Sequence, residues 1–181
     1  MPQRHFLIKW PNDILGLAPQ EDGKPDYRKL CGILCESFSG WLLAGIGINI
    51  SPGSYPQEMA ETATCLEEVV SSPRLSLPAE ALARRIADKI VAELRNTAWK
   101  SEYEQYLWAK GMRVSFVAGH PERGTTLGGI IEGIDDSGGL VLKRGDGEAI
   151  SYLAGEIASL RLDGVSRGGA HEARTTSVVD R

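Results

Sequence analysis

The sequence contains neither a concentration of basic residues nor an apolar run long enough to suggest a nucleic-acid or membrane partner. Lysine and arginine number 20 against 24 acidic residues, which gives a formal net charge of −4 with no basic stripe. The longest apolar stretch, GWLLAGIGINI, is far shorter than a membrane span. The first residues, MPQRHFLIKWPND, lack the apolar segment of a secretory signal. We therefore expect a cytoplasmic protein that binds neither nucleic acid nor membrane.

Cysteine and histidine are also scarce. Three cysteines, an odd number, favour reduced thiols over a disulfide framework. Cys31 and Cys35 could suggest a metal, but the three histidines are all remote in sequence, so buried free thiols are the better interpretation. No serine or cysteine motif has a credible histidine beside it, which argues against nucleophilic catalysis by the protein.

The composition is that of an ordinary globular protein, with 42% hydrophobic and 24% charged residues. Phe6–Trp10 is bulky and partly β-branched and predicts a strand, which Pro-Asn-Asp would end in a turn. A polar loop is expected over residues 18–28. The apolar runs KLCGILCESF and GWLLAGIGINI predict two further strands joined at Ser39-Gly40. The first 50 residues thus predict a three-stranded antiparallel meander.

The pattern changes at Pro78, where apolar residues begin to recur every four positions as far as Leu94. This spacing predicts an amphipathic helix ending near Asn96, and a second helix is expected over residues 100–110. After Gly111, four short segments (MRVSFVAG, LGGIIEGID, GLVLKRG and EAISYLAG) predict a small β-barrel of roughly 50 residues. From Asp163 onward no periodicity remains, and a disordered tail is expected.

Several polar residues cluster around the first predicted turn. Asn12 and Asp13 would be simple turn residues in most sequences. Here Lys9 and Trp10 precede them, and Lys29 begins the next predicted strand. A carboxylate and an ammonium at neighbouring strand ends suit a reaction that must hold Mg²⁺ and neutralise phosphate charge.

The string GIGIN suggests a ligand-binding strand. Side chains alternate along a strand, so Gly45, Gly47 and Asn49 would share one face and leave bare backbone for a flat ligand, with the isoleucines opposite. The same string is equally consistent with a core strand that is bulged or closely packed and binds no ligand. A dinucleotide-binding fingerprint is excluded because the third glycine is absent and a loop, SPGSYP, follows.

The same alternation of side chains is expected in the string RKLCGILCE. It predicts two faces for this strand. One face would carry Leu30, Gly32, Leu34 and Glu36, and the other Cys31, Ile33 and Cys35.

Together, KWPNDIL, RKLCGILCE, GIGINI and ATCLEEV occur in the order and approximate spacing found in the catalytic domain of biotin protein ligases, and the sequence resembles that family. The segment 111–161, ending AGEIASLR, resembles the family's SH3-like C-terminal domain. The resemblance implies an α+β fold: a mixed or antiparallel sheet with packed helices, like class II aminoacyl-tRNA synthetases, plus a small SH3-like barrel. It implies a partial catalytic domain over 1–110, the C-terminal domain over 111–162 and a tail over 163–181.

The resemblance also implies a two-step ligation. Biotin reacts with ATP, assisted by Mg²⁺, to give biotinyl-adenylate, and a lysine of a biotin carboxyl carrier domain then accepts the biotin. Such chemistry needs positioning and charge neutralisation more than a covalent protein nucleophile. No helix-turn-helix is found, so no repressor function is expected, and a homodimer is left open.

The family's functional residues map individually onto this sequence. Lys29 matches the lysine that contacts biotin's carboxylate and the phosphate, and Asp13 matches the aspartate that assists the phosphate and Mg²⁺ end and the acceptor amine. The remaining matches are expected to contact biotin or the adenylate: Lys9, Trp10, Asn12, Gly32, Ile33, Gly45, Gly47, Asn49 and Arg161.

One departure from the family is large. Relatives carry a substantial segment before KWPND, including a Gly-Arg-Gly-Arg-type loop that closes over the ligands, whereas eight residues precede Lys9 here. The nearest string, SRGG, lies at 166–169. We therefore expect the C-terminal portion of a ligase, from an incomplete gene model, a fragment or a degenerate copy. Its first strand would be an unpaired edge with exposed apolar surface, which favours self-association.

Three alternatives to an active ligase follow. A remnant could bind biotin or adenylate without turnover. A folded module could act on a carrier domain through its barrel alone. Lipoate ligases share the catalytic architecture, but the KWPND string argues against them.

Overall fold

The computed structural model describes residues 4–19, 25–71, 78–119, 123–154 and 157–163, which form two antiparallel sheets and short helices. The first sheet has the order β1-β2-β3-β4, with strands Phe6–Lys9, Asp13–Leu17, Tyr27–Phe38 and Trp41–Ile48. The second has the order β8-β7-β6-β5-β9, with β5 to β9 at Arg113–Ala118, Thr125–Ile134, Leu140–Lys143, Ala149–Tyr152 and Ile157–Leu162. The predicted α+β class is confirmed.

The first sheet contains one strand more than the sequence predicted. A turn over residues 10–12, with a cis Trp10–Pro11 peptide, leads directly into β2, so Lys9 and Asp13 are register partners. The segment DILGL was too short to stand out as a strand by itself. The predicted loop over 18–28 is also wrong at its end, because Tyr27 and Arg28 already belong to β3.

A β-bulge lies in the middle of the first sheet. Ile14 on β2 pairs with Cys31, but the next residue, Leu15, pairs with Lys29, so Leu30 is an extra residue in β3. Leu30 and Cys31 are consecutive yet both buried. The alternation predicted for Leu30 is therefore wrong, since the bulge reverses the order of faces at that point. Beyond it, β3 and β4 pair without interruption from Cys31↔Ile48 to Phe38↔Trp41.

Three helices follow the first sheet: α1 (Leu66–Val69), α2 (Ala79–Glu93) and α3 (Trp99–Tyr106), with a 3₁₀ turn at Gln57–Met59. The amphipathic helix expected from Pro78 is confirmed as α2, and the second expected helix is shorter than predicted. The apolar face of α2 forms one wall of a groove of about 370 Å³ whose other wall is β4. The groove is lined by Ile46, Ile48 and Ile50 on the strand and Leu82, Ile86 and Ile90 on the helix.

The main core lies against the second sheet. Val114, Phe116, Ile131, Leu140 and Leu142 are essentially inaccessible to solvent. A residue of the first sheet's leading turn, Trp10, belongs to the same cluster. A smaller buried group packs β2 and β3 against α1, where Leu30 and Val69 both lie close to Gly16.

Among the described residues, both outer strands of the first sheet, β1 and β4, have a strand partner on one side only, so the edge predicted at the first strand is present. β1 pairs with β2 on one side, and on the other Trp108 donates a backbone hydrogen bond of 2.8 Å to the carbonyl of Ile8. The exposed apolar side chains lie instead on the β3–β4 hairpin: Leu34, Phe38, Trp41, Leu42 and Leu43. Within the described ranges, β4 has no strand on its outer side.

Two further expectations concern the C-terminal residues and a possible membrane-spanning helix. The disordered tail predicted from Asp163 falls, beyond Asp163 itself, outside the described residues. In the part of the chain that the structure describes, no helix combines the length and apolar character needed to cross a bilayer.

Candidate active site

Lys29 and Asp13 lie side by side on adjacent strands. The Lys29 Nζ is 2.8 Å from the Asp13 Oδ1, and the two side chains are 48% and 23% exposed. The bulge at Leu30 makes this contact possible, because it places Lys29 on the same face of the sheet as Asp13. The sequence thus correctly predicted a lysine and a carboxylate at neighbouring strand ends, although regular alternation would have turned Lys29 to the other face.

A row of glycines extends from this ion pair across the sheet. Asp13 is the register partner of Gly32 on β3, and Gly32 is in turn the partner of Gly47 on β4. A Cβ on Gly32 would lie 3.5 Å from the Lys29 Nζ and 3.6 Å from the Asp13 Oδ1. A Cβ on Gly47 would meet nothing within 4 Å, and one on Gly45 only the Leu34 carbonyl at 3.8 Å. The face beside the ion pair is therefore bare backbone with open space above it.

The backbone of Lys29 is fixed by a segment whose role the sequence analysis did not identify. Lys29 N–H donates to the Thr62 carbonyl at 2.8 Å, and Thr64 N–H donates to the Lys29 carbonyl at 3.0 Å. Thr64 is fully buried, and its hydroxyl donates to Glu68 Oε2 at 2.8 Å. The same carboxylate accepts from Cys65 N–H at 3.2 Å, which starts α1 with a capping box. The signal available in the sequence was the Cys-x-x-Glu spacing within ATCLEEV.

The two asparagines of the predicted site have different roles. The Asn49 side-chain amide donates to the Thr64 carbonyl at 3.1 Å and its backbone N–H to the Leu30 carbonyl at 2.9 Å, so it ties β4 to the segment that holds Lys29. Asn12 has an exposed side chain at the turn, and its carbonyl accepts from Ile33 N–H at 2.8 Å. Asn12, Ile33 and Gly32 thus lie around Asp13, and their contact with biotin or the adenylate stays a prediction.

Lys9 and Trp10 were also predicted to contact substrate. Lys9 is the register partner of Asp13, and its Nζ lies 5.4 Å from the centroid of the Trp108 ring. Trp10 is only 5% exposed, and its Nε1–H donates to the Gly138 carbonyl at 2.9 Å. The Trp10 ring also lines a cleft of about 360 Å³ together with Trp99 and Tyr103 of α3. Burial raises the pKa of the Tyr103 hydroxyl to about 12.

Arg161 is not brought to the ion pair by any contact among the described residues. It lies exposed on β9 opposite Ser115 of β5. Its predicted position near the nucleotide stays a prediction.

The cysteines and carboxylates provide no preformed metal site within the described ranges, where no group of three or more candidate ligands occurs. Cys31 is buried, and burial, with the nearby Asp13 carboxylate, raises the pKa of its thiol. Cys35 is exposed, so the prediction that both thiols are buried is wrong for Cys35. It lies on the β3–β4 hairpin, where no neighbouring layer covers the sheet.

An open glycine surface beside a lysine–aspartate pair can bind a flat ligand that carries negative charge. The ammonium can neutralise a carboxylate or phosphate, and the carboxylate can orient a cation or an amine. Mg²⁺ normally takes one or two carboxylates and completes its shell with phosphate oxygens and water, and a single Asp13 fits only that mode.

Comparison with known proteins identifies relatives over most of the chain. The family described as "Biotin protein ligase C terminal domain" matches residues 121–159. A biotin--[acetyl-CoA-carboxylase] ligase of Mycobacterium tuberculosis is 30% identical over 163 residues, which are 89% of this chain and 56% of that protein. The resemblance to biotin protein ligases is confirmed.

Solved structures of the Aquifex aeolicus biotin protein ligase share the fold. The apo structure has a TM-score of 0.62 at 25% identity and is matched over 87% of this chain and 65% of its own. The complex with biotin and ATP has a TM-score of 0.64 at 25% identity, over 87% of this chain and 62% of its own. The chain therefore spans less than two thirds of the length of these relatives.

Proposed function

From its similarity in sequence and fold to biotin protein ligases, we propose that this chain carries the catalytic lysine and aspartate of an ATP-dependent biotin–protein ligase. The observation that carries the proposal is the 2.8 Å pair of Lys29 and Asp13 at the end of the glycine row. In the first step a carboxylate oxygen of biotin attacks the α-phosphorus of ATP, and pyrophosphate leaves. In the second the amine of a carrier lysine attacks the acyl carbon, AMP leaves and a proton is released.

Lys29 neutralises the negative charge of both carboxylate and phosphate. It is half-exposed, and its backbone is held on both sides by hydrogen bonds to residues 62 and 64. A fixed cation beside the reacting oxygen stabilises the charge that develops in the transition state.

Asp13 is assigned to the Mg²⁺ ion and to the acceptor amine. Its carboxylate pairs with Lys29, and in the second step it would orient the incoming amine. Mg²⁺ would supply further neutralisation of the phosphates, with Asp13 as its protein ligand.

The remaining site residues provide the binding surface. Gly32, Gly45 and Gly47 form the floor on which the rings of biotin and adenine lie, and the Asn12–Ile33 hydrogen bond closes its end near Asp13. We assign Asn49 to support of this floor. Arg161 is proposed to approach the nucleotide.

The two sheets correspond in this proposal to two domains. Residues 1–110 form the catalytic part and residues 111–162 an SH3-like C-terminal domain. The protein partner is a biotin carboxyl carrier domain, and the compartment is the cytoplasm.

A second function, binding without turnover, is supported by a specific observation. The floor around Gly47 is open to solvent, and the chain spans 56% of its curated relative. A site that does not exclude water would hold biotin or its adenylate weakly and fail to activate it.

Biotin-dependent exchange of labelled pyrophosphate into ATP distinguishes the two functions. We expect exchange by the full chain that is lost in Lys29→Ala and kept in Lys89→Ala, which removes a surface lysine paired with Glu93 on α2. Calorimetric binding of biotin without exchange would support the binding protein instead. Absence of both binding and exchange would refute the proposal.

A further inference from the structure

The turn between β6 and β7 is unusually well fixed for a surface turn. The Asp135 Oδ1 accepts hydrogen bonds from Ser137 N–H at 2.8 Å and Gly139 N–H at 2.9 Å. Its Oδ2 accepts from the Ser151 hydroxyl of β8. Asp135 N–H also bonds the Gly139 carbonyl at 2.9 Å. The turn is thus held from inside and from the neighbouring strand.

Helix α3 holds the same turn from a third side. The Lys100 Nζ lies 2.7 Å from the Asp136 Oδ1, and Glu104 accepts from Ile134 N–H at 3.1 Å. Gly138, at the tip, has φ +84°, a conformation that favours glycine. Its carbonyl therefore points in one defined direction.

That carbonyl accepts the hydrogen bond from Trp10. The bond joins residues 128 positions apart, and it links the second sheet to the turn that opens β2. The ring of Trp10 is also buried in the core of the second sheet. Because a buried indole N–H needs a partner, the bond fixes the ring in rotation as well as in position.

Only two residues separate Trp10 from Asp13. Within this short turn the Asn12 carbonyl accepts from Ile33 N–H at 2.8 Å, and Asp13 pairs with Lys29 at 2.8 Å. A displacement of the Trp10 ring would therefore be transmitted to Asp13. A misplacement of about 1 Å in a site can cost about a hundredfold in rate.

We propose that Trp10, held by the Gly138 carbonyl, is a positioning residue for the Lys29–Asp13 pair. The β6–β7 turn acts on the candidate active site through it, and Trp10 does not contact substrate. The catalytic part of this inference rests on the proposed ligase function, whereas the mechanical part does not.

Hydrogen exchange of individual amides tests the mechanical part. Trp10→Phe keeps an aromatic ring but lacks the N–H donor, and we expect exchange of the Ile33 amide to rise about tenfold, the equivalent of one hydrogen bond. Exchange of the Leu66 and Arg144 amides, which are hydrogen-bonded away from the Trp10 ring, should not change. Trp99→Phe is the matched control, because Trp99 lines the same cleft and, among the described residues, makes no hydrogen bond to the turn.

Ser151→Ala gives a second test that leaves Trp10 intact. It removes the hydroxyl bonded to Asp135, and we expect a smaller rise at the same Ile33 amide. If Trp10→Phe does not fold, this variant decides. An unchanged Ile33 amide would overturn the proposal. A rise shared equally by the Leu66 and Arg144 amides would also overturn it, since it indicates loss of global stability alone.

Kinetics test the catalytic part. In pyrophosphate exchange we expect Trp10→Phe to lower kcat about tenfold or more while the KM for biotin changes less than about threefold, because Trp10 acts through Asp13 and does not contact biotin. A rise in KM with unchanged kcat would restore Trp10 as a substrate contact. If the unaltered chain neither binds nor exchanges, the ligase proposal fails, and the amide data still decide whether the turn positions Asp13.

Discussion

Gly32 on β3 and Gly47 on β4 are direct register partners, and Asp13 on β2 completes the same row. This row makes the surface beside Lys29 flat at the level of the backbone. Side chains along the row would reach into the space where a ligand would lie.

A side chain placed in this glycine row should weaken ligand binding without destabilising the fold. In Gly47→Val the new Cβ meets nothing within 4 Å, and valine favours strands, so the free energy of unfolding should stay equal or rise by up to about 1 kcal/mol. Biotin should nevertheless bind at least about tenfold more weakly by calorimetry, because the side chain covers the floor. Ala44→Val, whose side chain faces the α2 groove, is the control. Unaltered binding in Gly47→Val would remove the glycine row from the site.

Gly16 lies in a closely packed position, so a side chain there should destabilise the fold. A Cβ on Gly16 would lie 2.5 Å from Val69 Cγ2 and 3.1 Å from Thr64 Cγ2. Gly16→Ala should therefore lower the free energy of unfolding by about 1–3 kcal/mol through overpacking, measured by urea denaturation. Gly145→Ala is the control, since a Cβ there meets nothing within 4 Å. The double variant Gly16→Ala/Val69→Ala should recover part of the loss, and no recovery would contradict the assigned contact.

The three thiols should react at different rates with a thiol reagent. Cys35 is exposed and should react first, and Cys35→Ser should remove this fast phase. Burial raises the pKa of both the Cys31 and the Cys65 thiols, so less thiolate is present at a given pH. Their slow phases should accelerate only as the pH rises above the ordinary thiol range. Three equal rates at pH 8 would contradict the assigned burial.

The β3–β4 hairpin should cause the chain to associate with itself. Phe38 and Trp41 are each 79% exposed, and β4 has no outer neighbour among the described strands. Unpaired apolar edges pair readily with one another, and a lysine on such an edge opposes this. Leu43→Lys should lower the sedimentation coefficient at high protein concentration, whereas Leu94→Lys, an equally exposed leucine at the end of α2, should not. A wild-type chain that stays monomeric at all concentrations would contradict the prediction.

Local patterns in the sequence predicted the regular elements well. Helix α2 was evident because its apolar residues recur with a helical period, and β3 and β4 because they are long, apolar and bounded by turn residues. Strand β2 and helix α1, with five and four residues, are too short to give a periodic signal. They form because they pack against each other at Gly16, which is a tertiary effect.

The candidate site was predicted in part for a similar reason. The strings around Asp13 and Lys29 named two residues that the structure places side by side, but alternation could not reveal the bulge that brings the two side chains to one face. Trp10 was assigned to the site because it lies within KWPND. Its indole N–H instead donates to the carbonyl of Gly138, in the turn between β6 and β7. No residue close to Trp10 in the sequence indicates this partner.

The extra residue in β3, Leu30, affects which mutations of the gene are tolerated at this position. Replacing Leu30 by another apolar amino acid would leave the count of residues unchanged, and Lys29 would still meet Asp13. Losing that single codon in frame would remove the bulge, and Lys29 would still pair with Leu15, on the side of the sheet that carries Asp13. In descendants of this gene, loss of Leu30 should therefore be selected against through the buried space that its side chain fills, and not through the position of Lys29.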